Sequence, residues 1–450
     1  MLQKFIGNKK FYKNLLTIVL PIAIQQLITA SVQLVDNVMV GSLGESTISA
    51  VAVTNQMFFV LILLVFGIVG GAGIYTAQYF GSKDYDKLKQ TYRFKVIFCL
   101  ILAGISTLIV SFYGENIIRF FTDSQETIDL GKSYLSIVRF TIIPMFLSIA
   151  LSSTFREIAM PKLPMVASLA AIFVNTILNY VLIFGNFGFP QLGIVGAAYA
   201  TLIARCVELV ILLFLVKSKG QVFSSSIANL LKVEKAVLSS IFIVALPMML
   251  NEVLWALGQT AFLKAYSTRG DIALAAFNIS NTISQLVFVV FAAMSTAIAV
   301  MVGNTLGANE LEEAKENSIK LLAFSVFVSF VSGLFLIVGS FFIPDIYNVA
   351  DVTKEIVSFN LKVNGLFIPL YAFNAGIFFV LRAGGDTKSA LIMDALFMWV
   401  VSVPIALALA YLTKIDVRYM FLLVQCTEII KLLFSSNRYK KGYWIKNLAA

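Results

Sequence analysis

The sequence contains no histidine, and only 13% of its residues are charged. The absence of histidine excludes zinc sites built on imidazole ligands, and it excludes Ser-His and Cys-His catalysis. Any proton chemistry must therefore use carboxylates. The three cysteines, Cys99, Cys206 and Cys426, all lie in apolar stretches. An odd number of cysteines in apolar helices indicates side-chain packing rather than disulfide bonds.

Hydrophobic residues make up 59% of the 450 residues, which is more than a soluble core can bury. The sequence therefore predicts an all-α polytopic membrane protein. Segments of about 20 apolar residues, the length that crosses a bilayer as a helix, occur twelve times. They lie near 15–40, 49–80, 94–113, 134–158, 163–187, 190–216, 239–264, 273–306, 318–343, 357–381, 389–412 and 415–436.

The two halves of the chain repeat each other. A constant shift of 226 positions pairs Leu20 with Leu246 and Pro21 with Pro247. Because each half contains an even number of spans, both halves enter the membrane from the same side, related by an axis along the membrane normal. We expect two pseudo-symmetric six-helix lobes. The same shift also pairs Gln33 with Gln259, Asn55 with Asn281, Gly81 with Gly307 and Arg156 with Arg382.

These spans divide the chain into an N-lobe (1–216), a cytoplasmic linker (217–238) and a C-lobe (239–450). The linker region is polar, with Gly220 and three serines followed by the amphipathic Ile227–Val237. That amphipathic stretch is expected to lie on the inner membrane surface. The linker is either a flexible joint between moving lobes or only a covalent tether.

The net charge of +10 is an orientation signal. Most Lys and Arg residues fall on one side, where Lys95 is counted with an inner loop and Lys431 with the C-terminal tail. The positive-inside rule therefore places both termini in the cytoplasm. The short basic N-terminus and the long first apolar run do not resemble a cleaved signal peptide. We expect a multi-pass protein of a prokaryotic cytoplasmic (inner) membrane whose surroundings are lipid, with no nucleic-acid partner.

The first apolar span carries a carboxylate. Gln26, Thr29, Gln33 and Asp36 recur at helical spacing and therefore share one face of the first helix. A carboxylate at membrane depth costs roughly 2.5–3.5 kcal/mol, so it is expected to face protein or a water-filled cavity. The alternative is a helix-end Asp that reaches the outer interface and only caps.

The seventh span, which repeats the first, also carries a carboxyl group, but at a different depth along the helix. Glu252, Trp255, Gln259 and Phe262 form one face of that helix, with Glu252 near its middle. A buried carboxyl in such a position is protonatable and can take part in transport, or it can be an internally hydrogen-bonded structural residue.

Further polar residues lie on the fifth and sixth spans. Asn175 and Asn179 are one turn apart, and Thr201, Arg205 and Glu208 share a face. The two amides can join helices by hydrogen bonds, or they can supply oxygen ligands to a hard cation such as Na⁺. Arg205 and Glu208 are expected to neutralise each other.

The second half carries its own polar stripe. Asn278, Asn281 and Gln285 lie on the eighth span, and with Tyr371 and Asn374 on the tenth they are expected to line a cavity for an amphipathic ligand. Asp394 is interfacial or functional. Near the ends of the two halves the repeat shift becomes 220, which aligns Arg205–Phe214 with Gln425–Phe434, so Glu428 repeats Glu208. The expected substrate cavity comprises Gln33, Trp255, Gln259, Asn278, Asn281, Gln285, Tyr371 and Asn374.

Four stretches carry a resemblance to a known family. They are VDNVMVGSLG (Val35–Gly44), NTILNYVLIFGNFGFPQLGIVGAAYAT (Asn175–Thr201), LRAGGDTKSA (Leu381–Ala390) and RYKKGYWIKNL near the C-terminus. The chain resembles the multidrug and toxic compound extrusion (MATE) family over nearly its whole length, with NorM-like members most similar.

The resemblance implies an antiporter that exports cationic or amphipathic drugs against inward Na⁺ or H⁺ flow. In the family, an N-lobe ion site matches Asp36, Asn175, Asn179 and Thr201 here, and the resemblance implies that these residues bind Na⁺ as the metal. The membrane glutamate of the NorM-like branch matches Glu252. Asn179 stands where some members have a second acid. The tenth span lacks the family's acid, with Tyr371 near that position.

The leading hypothesis is cation-coupled multidrug efflux by alternating access, without a cofactor besides the coupling ion, by a protein acting as a monomer. A flippase for lipid-linked saccharides is the alternative, but it would need several cations for a pyrophosphate, and Arg205 has Glu208 beside it. A membrane enzyme would need an Asp-rich metal loop or a catalytic His, and neither is present. The prediction is a transporter, not an enzyme.

Overall fold

The computed structural model describes residues 5–218, 221–347 and 349–450, and within these ranges it is helical, with no strand. The described ranges contain twelve long helical segments, which correspond one to one with the twelve predicted spans. They are α1 (Lys9–Gly41), α2 (Glu45–Gly81), α3 (Tyr85–Phe121), α4 (Gln125–Glu157), α5 (Lys162–Phe184), α6 (Ile194–Ser218), α7 (Lys235–Ser267), α8 (Asp271–Gly307), α9 (Leu311–Gly339), α10 (Asp351–Ala383), α11 (Thr387–Leu412) and α12 (Val417–Lys440).

Eleven of these helices, within the described ranges, are long and apolar enough to cross a membrane. The exception, α12, carries Gln425, Glu428 and Lys431 in its middle, which lowers its hydropathy. The all-α polytopic membrane fold predicted from composition is therefore confirmed. The more polar composition of α12 has a structural reason, because the side chains of these three residues bind groups on α10 and α11.

Two helices depart from regular α geometry. A short 3₁₀ turn at Arg139–Thr141 interrupts α4. In α11, π-helical turns at Ile392–Leu396 and Met398–Ser402 precede Pro404, which has no N–H to donate. Wider turns relieve the clash that a proline ring makes with the preceding turn of a helix. One of these turns contains Asp394.

The helices form two compact units. The N-terminal unit comprises Ile24–Thr76 and Asp84–Ala245, and the C-terminal unit comprises Leu246–Ala450 with Ala77–Lys83 and the described part of Met1–Ala23. Each has its own apolar core. In the N-terminal unit the core includes Ile118, Ile142 and Phe146, all fully buried. The C-terminal core includes Tyr266 stacked on Phe277, with ring centroids 4.5 Å apart. The lobe boundaries at 216 and 239 stay a prediction.

The linker has little regular structure. The stretch Ile227–Val237 contains a 3₁₀ turn at Ile227–Asn229 before α7 begins at Lys235, and its location on the inner membrane surface stays a prediction. Phe223 of the linker is fully buried against Tyr92 and Phe155. Glu234 accepts a hydrogen bond from Gln90, which accepts one from its main-chain N–H in return. The described linker is thus anchored on α3 and α4, while Lys219 and Gly220 lie outside the described residues.

A close crossing of α2 and α8 in the C-terminal unit depends on the symmetric glycine pair Gly81 and Gly307. A Cβ placed on Gly307 would lie 2.5 Å from the carbonyl carbon of Gln78 and 2.6 Å from its Cα. Gln78 is itself fixed, since its amide donates to the carbonyl oxygen of Ala383 at 2.7 Å. Moving the α2 backbone at Gln78 or the α8 backbone at Gly307 would therefore cost stability.

We therefore expect Gly307→Ala to destabilise the protein by about 1–3 kcal/mol, the usual cost of overpacking. Thermal unfolding of the purified protein in detergent measures the effect. Gly104→Ala is the matched control, because a Cβ there meets no atom of the described residues within 4 Å and alanine is the better helix former. Equal unfolding temperatures for the two variants would contradict the close crossing.

Candidate functional site

The N-terminal unit contains a cavity of about 710 Å³. This volume falls in the range of pockets that hold drug-sized molecules. Residues of α1, α2, α4, α5 and α6 line it, and Phe58, Phe59, Phe66 and Tyr134 give it an aromatic wall. Gln25 and Asp36 both line it from α1, and eleven residues of helix separate them by roughly 16 Å along the axis. The cavity is therefore long, with different polar groups near its two ends.

Near one end, Asp36 meets the two asparagines of α5. The Asn179 amide donates to Asp36 Oδ1 at 2.9 Å and to Asn175 Oδ1 at 3.3 Å. Both asparagines are buried, with 9% of Asn175 and 3% of Asn179 exposed. Among the described residues, Asn179 Oδ1 has no hydrogen-bond donor. A buried carbonyl oxygen without a donor, beside a carboxylate, can serve as a ligand for a hard cation.

Thr201, on α6, is linked to this group by Tyr134 of α4. Its hydroxyl donates to the Ala197 carbonyl at 2.9 Å, so its lone pairs can serve another partner. The buried Tyr134 hydroxyl interacts with the Thr201 side chain and, electrostatically, with Asp36. The four residues predicted to form the N-lobe ion site, Asp36, Asn175, Asn179 and Thr201, thus line one cavity together with Gln33.

At the other end the cavity is lined by a second polar chain. Gln25 donates to the Ser168 hydroxyl at 2.8 Å, and Ser168 donates to Glu208 Oε1 at 2.6 Å. Arg205 pairs with the other oxygen of Glu208 at 2.9 Å. The predicted neutralisation of Arg205 by Glu208 is confirmed. Both oxygens of the Glu208 carboxylate therefore already have partners within the N-terminal unit.

The C-terminal unit contains a related series of hydrogen-bonded side chains at positions equivalent by the internal repeat. Asn251, which repeats Gln25, donates to Asp394 at 3.2 Å, and Asp394 repeats Ser168. Lys431 lies 2.8 Å from Asp394 and 3.9 Å from Glu428. The side chain of Lys431 is only 15% exposed. Asp394 is thus a member of a partly buried ion cluster rather than a merely interfacial residue.

Glu252, the predicted coupling residue of the second half, lies partly buried on α7 in the C-terminal unit. The charged groups that act on it electrostatically are Arg382 and Asp394. On the same helix, Gln259 is partly buried, while Trp255 is 36% exposed. The three residues keep the common face that their spacing predicts.

The predicted polar stripe of α8 and α10 divides into two environments. Asn278, Asn281 and Gln285 are exposed in this structure. Asn374, by contrast, is 2% exposed, and its amide donates to Glu428 at 2.8 Å while accepting from Ser435. Asn374 therefore joins α10 to α12.

Tyr371 likewise contacts α12. Its hydroxyl donates to Gln425 Oε1, and the Gln425 amide lies 3.5 Å from Asn364 Oδ1. Gln425 stands where the first half has Arg205, and its amide oxygen accepts the tyrosine proton, which a guanidinium could not do.

Three charged residues of this structure did not stand out in the sequence as parts of a site. Lys95 is fully buried in an ion pair with Glu157, although it lies where inner-side basic residues were expected. Arg156, next to Glu157, lines the cavity. Lys431, grouped with the basic tail on sequence grounds, lies within the ion cluster of the C-terminal unit. The only available signal was that Lys95, Glu157 and Lys431 break the internal repeat.

The described residues contain no group of three or more His, Cys, Asp or Glu side chains that could hold a metal ion. A transition-metal centre therefore has no ligand set in the described ranges. A hard monovalent cation needs fewer charges and accepts neutral oxygens. The donor set around Asp36 is of that second kind.

Comparison with known proteins places these features in a family. The sequence model of the MatE family matches the chain twice, over residues 21–181 and 247–408. The two ranges start 226 positions apart, which is the shift of the internal repeat. The chain is 26% identical to the "Probable multidrug resistance protein YoeA" of Bacillus subtilis, covering 90% of this chain and 88% of that protein. It is 27% identical to the "Multidrug export protein MepA" of Staphylococcus saprophyticus, covering 89% and 88%.

Solved structures share the fold at low identity. A multidrug resistance MATE family transporter in an outward-facing conformation superposes with a TM-score of 0.86 at 19% identity, over 98% of both chains. A mutant of the Vibrio cholerae MATE transporter VcmN superposes with a TM-score of 0.88 at 20% identity, over 96% of this chain and 97% of that one. At such identities the likeness establishes the architecture alone.

Proposed function

The chain belongs to the MatE family, and from that premise we propose that it is a cation-coupled efflux antiporter. Its cargo would be cationic or amphipathic small molecules, exported across a prokaryotic cytoplasmic membrane by alternating access. The observation that carries this proposal is the cavity of about 710 Å³ with Asp36 in its wall. The names of the similar proteins, a multidrug resistance protein and a multidrug export protein, agree with it.

The coupling step follows from the chemistry of Asp36. An ionised carboxylate in an apolar cavity attracts a cationic substrate or a small cation, and neutralising it by Na⁺ or H⁺ removes that attraction. An ion shifts the transporter between states only through its differential affinity for them. We propose that ion binding at Asp36 lowers the affinity for substrate and thereby releases it.

Two residues complete the proposed ion site from α5 and α6. The donor-free Oδ1 of Asn179 and the hydroxyl of Thr201 would supply neutral oxygens for Na⁺. If H⁺ is the coupling ion, the same carboxylate takes the proton. The Asn179 amide, which donates to Asp36 Oδ1, then keeps the carboxyl group in position. The ion itself, Na⁺ or H⁺, is left open in the proposal.

Glu252 is proposed as a secondary coupling residue in the C-terminal unit. Its surroundings include one opposite charge, Arg382, and one like charge, Asp394. We expect Glu252→Gln to lower the initial rate of gradient-driven efflux by roughly three- to tenfold, because one protonatable group is lost while the Asp36 site persists. Efflux rates in vesicles, normalised to the amount of protein, measure this. A rate at background level in this variant would instead make Glu252 the primary site.

A flippase for lipid-linked saccharides is the alternative function. It would need several cations to bind a pyrophosphate. Arg156 and Arg205 are the basic residues among those that line the cavity, and Glu208 already neutralises Arg205. The single remaining guanidinium does not favour a multiply charged headgroup.

Ethidium efflux from membrane vesicles tests the proposal. Na⁺ and proton gradients are imposed separately, in vesicles with and without the protein. We expect ethidium movement to follow one of the two gradients. If ethidium moves under neither gradient while the protein is present and folded, the antiporter proposal is wrong and the flippase alternative gains support.

A further inference from the structure

In the N-terminal unit, the positive and negative charges around Glu157 and Glu208 are unequal in number. Three cations, Lys95, Arg156 and Arg205, lie near two carboxylates, Glu157 and Glu208, which are the acidic groups that act electrostatically on Arg156. Glu157 is committed to Lys95 and also accepts from the Ser153 hydroxyl. Glu208 is committed to Arg205 and Ser168. One positive charge is left over.

That charge belongs to Arg156. Within the described ranges its guanidinium makes no hydrogen bond and no ion pair, although it lies near two carboxylates. It lines the cavity at the end of α4, together with Ser148 and Ser152 from the same helix. The hydroxyl of Ser148 is also buried without a hydrogen-bond partner among these residues. A guanidinium presents five N–H donors in a planar fork that matches a carboxylate.

We propose that Arg156 forms an anion-binding subsite of this cavity, which binds the carboxylate of an amphipathic substrate. The inference rests on the proposed efflux function and adds a chemical class of cargo to it. The apolar body of such a molecule lies against the aromatic wall, and its carboxylate replaces the missing partner of Arg156. The subsite is separate from Asp36, because Arg156 lies near Glu208, whose hydrogen-bond chain reaches Gln25, and Gln25 is roughly 16 Å from Asp36 along α1.

A matched pair of dyes isolates the carboxylate. A rhodamine with a free carboxylate and its methyl ester share the same cationic fluorophore and differ only in the anionic group. Fluorescence titration of the purified protein gives a dissociation constant for each dye. We expect Arg156→Gln to weaken binding of the acid by roughly tenfold or more, the usual worth of a charge-assisted hydrogen bond, and to change binding of the ester less than twofold.

Two further variants make the result specific. Arg156→Lys keeps the charge but not the fork, so it recovers part of the affinity for the acid. Arg119→Gln is the control, since Arg119 is exposed and pairs with Glu115 outside the cavity. That control is expected to leave the ratio of the two dissociation constants unchanged. Equal losses for acid and ester in Arg156→Gln would overturn the proposal, as would no loss for either dye.

A competition measurement on the unaltered protein needs no variant. Potassium benzoate offers a simple carboxylate, and it is expected to displace the acid dye but not the ester. If benzoate displaces neither dye, or both equally, the anion subsite is wrong. The proposed function fails separately, when the ester is not moved by either ion gradient.

Discussion

We expect Asp36→Asn to abolish gradient-driven drug efflux while leaving the protein in the membrane at its usual amount. The substitution keeps the shape of the side chain but removes the charge and the site of protonation. The Asn179 amide, which now donates to Asp36 Oδ1 at 2.9 Å, would still find an acceptor in the new amide oxygen. Folding is therefore preserved and only the coupling group is lost.

Drug susceptibility of cells, ethidium efflux and membrane abundance together measure this effect. Asp129→Asn is the matched control, because Asp129 is exposed and its carboxylate accepts a hydrogen bond from Gln125 on its own helix. The control is expected to retain full efflux. An Asp36→Asn protein that confers full resistance would show that coupling does not pass through this carboxylate.

The second large effect concerns stability. Lys95 is 0% exposed and forms an ion pair with Glu157, while its ammonium lies 3.4 Å from the Thr154 hydroxyl. Replacing Lys95 with methionine removes the positive charge beside a partly buried carboxylate. Breaking one side of a buried ion pair typically costs about 3–5 kcal/mol. We expect Lys95→Met to lower the unfolding temperature strongly.

A double variant separates the pair from the packing around it. Lys95→Met combined with Glu157→Gln removes both charges and is expected to recover most of the lost stability. Lys89→Met serves as the control, since Lys89 pairs at 3.2 Å with Asp86, which is 91% exposed. Such a surface pair contributes at most about 1 kcal/mol. An unfolding temperature of Lys95→Met equal to that of Lys89→Met would contradict the account.

Much of the architecture was predictable because the local amino-acid composition determines which segments span a membrane. The helices follow from apolar length, and the repeat follows from the constant shift that pairs Gly81 with Gly307. Both features depend on neighbours along the chain. The Asp36 residues also line one cavity, but their grouping across three helices was implied by the resemblance to the family, since helical spacing sets only the face of each helix.

The long-range ion pairs were not predictable. Lys95 and Glu157 are 62 positions apart, and Asp394 and Lys431 are 37 apart, so no spacing rule connects them. A count of positive charges even assigned both lysines to the inner loops or the tail. Whether a Lys is solvated or paired depends on tertiary packing, which composition alone does not contain. The anchored linker is a second example, since Phe223 reads as an isolated aromatic in a polar loop.

The most direct test of the central claim is the dependence of substrate affinity on the coupling ion. The dissociation constant of ethidium is measured for purified protein as Na⁺ concentration and proton concentration are raised separately. We expect one of the two cations to weaken ethidium binding by the unaltered protein, and we expect Asp36→Asn to show no response to either. Ethidium binding that is insensitive to both cations, or an undiminished response in Asp36→Asn, would contradict the central claim.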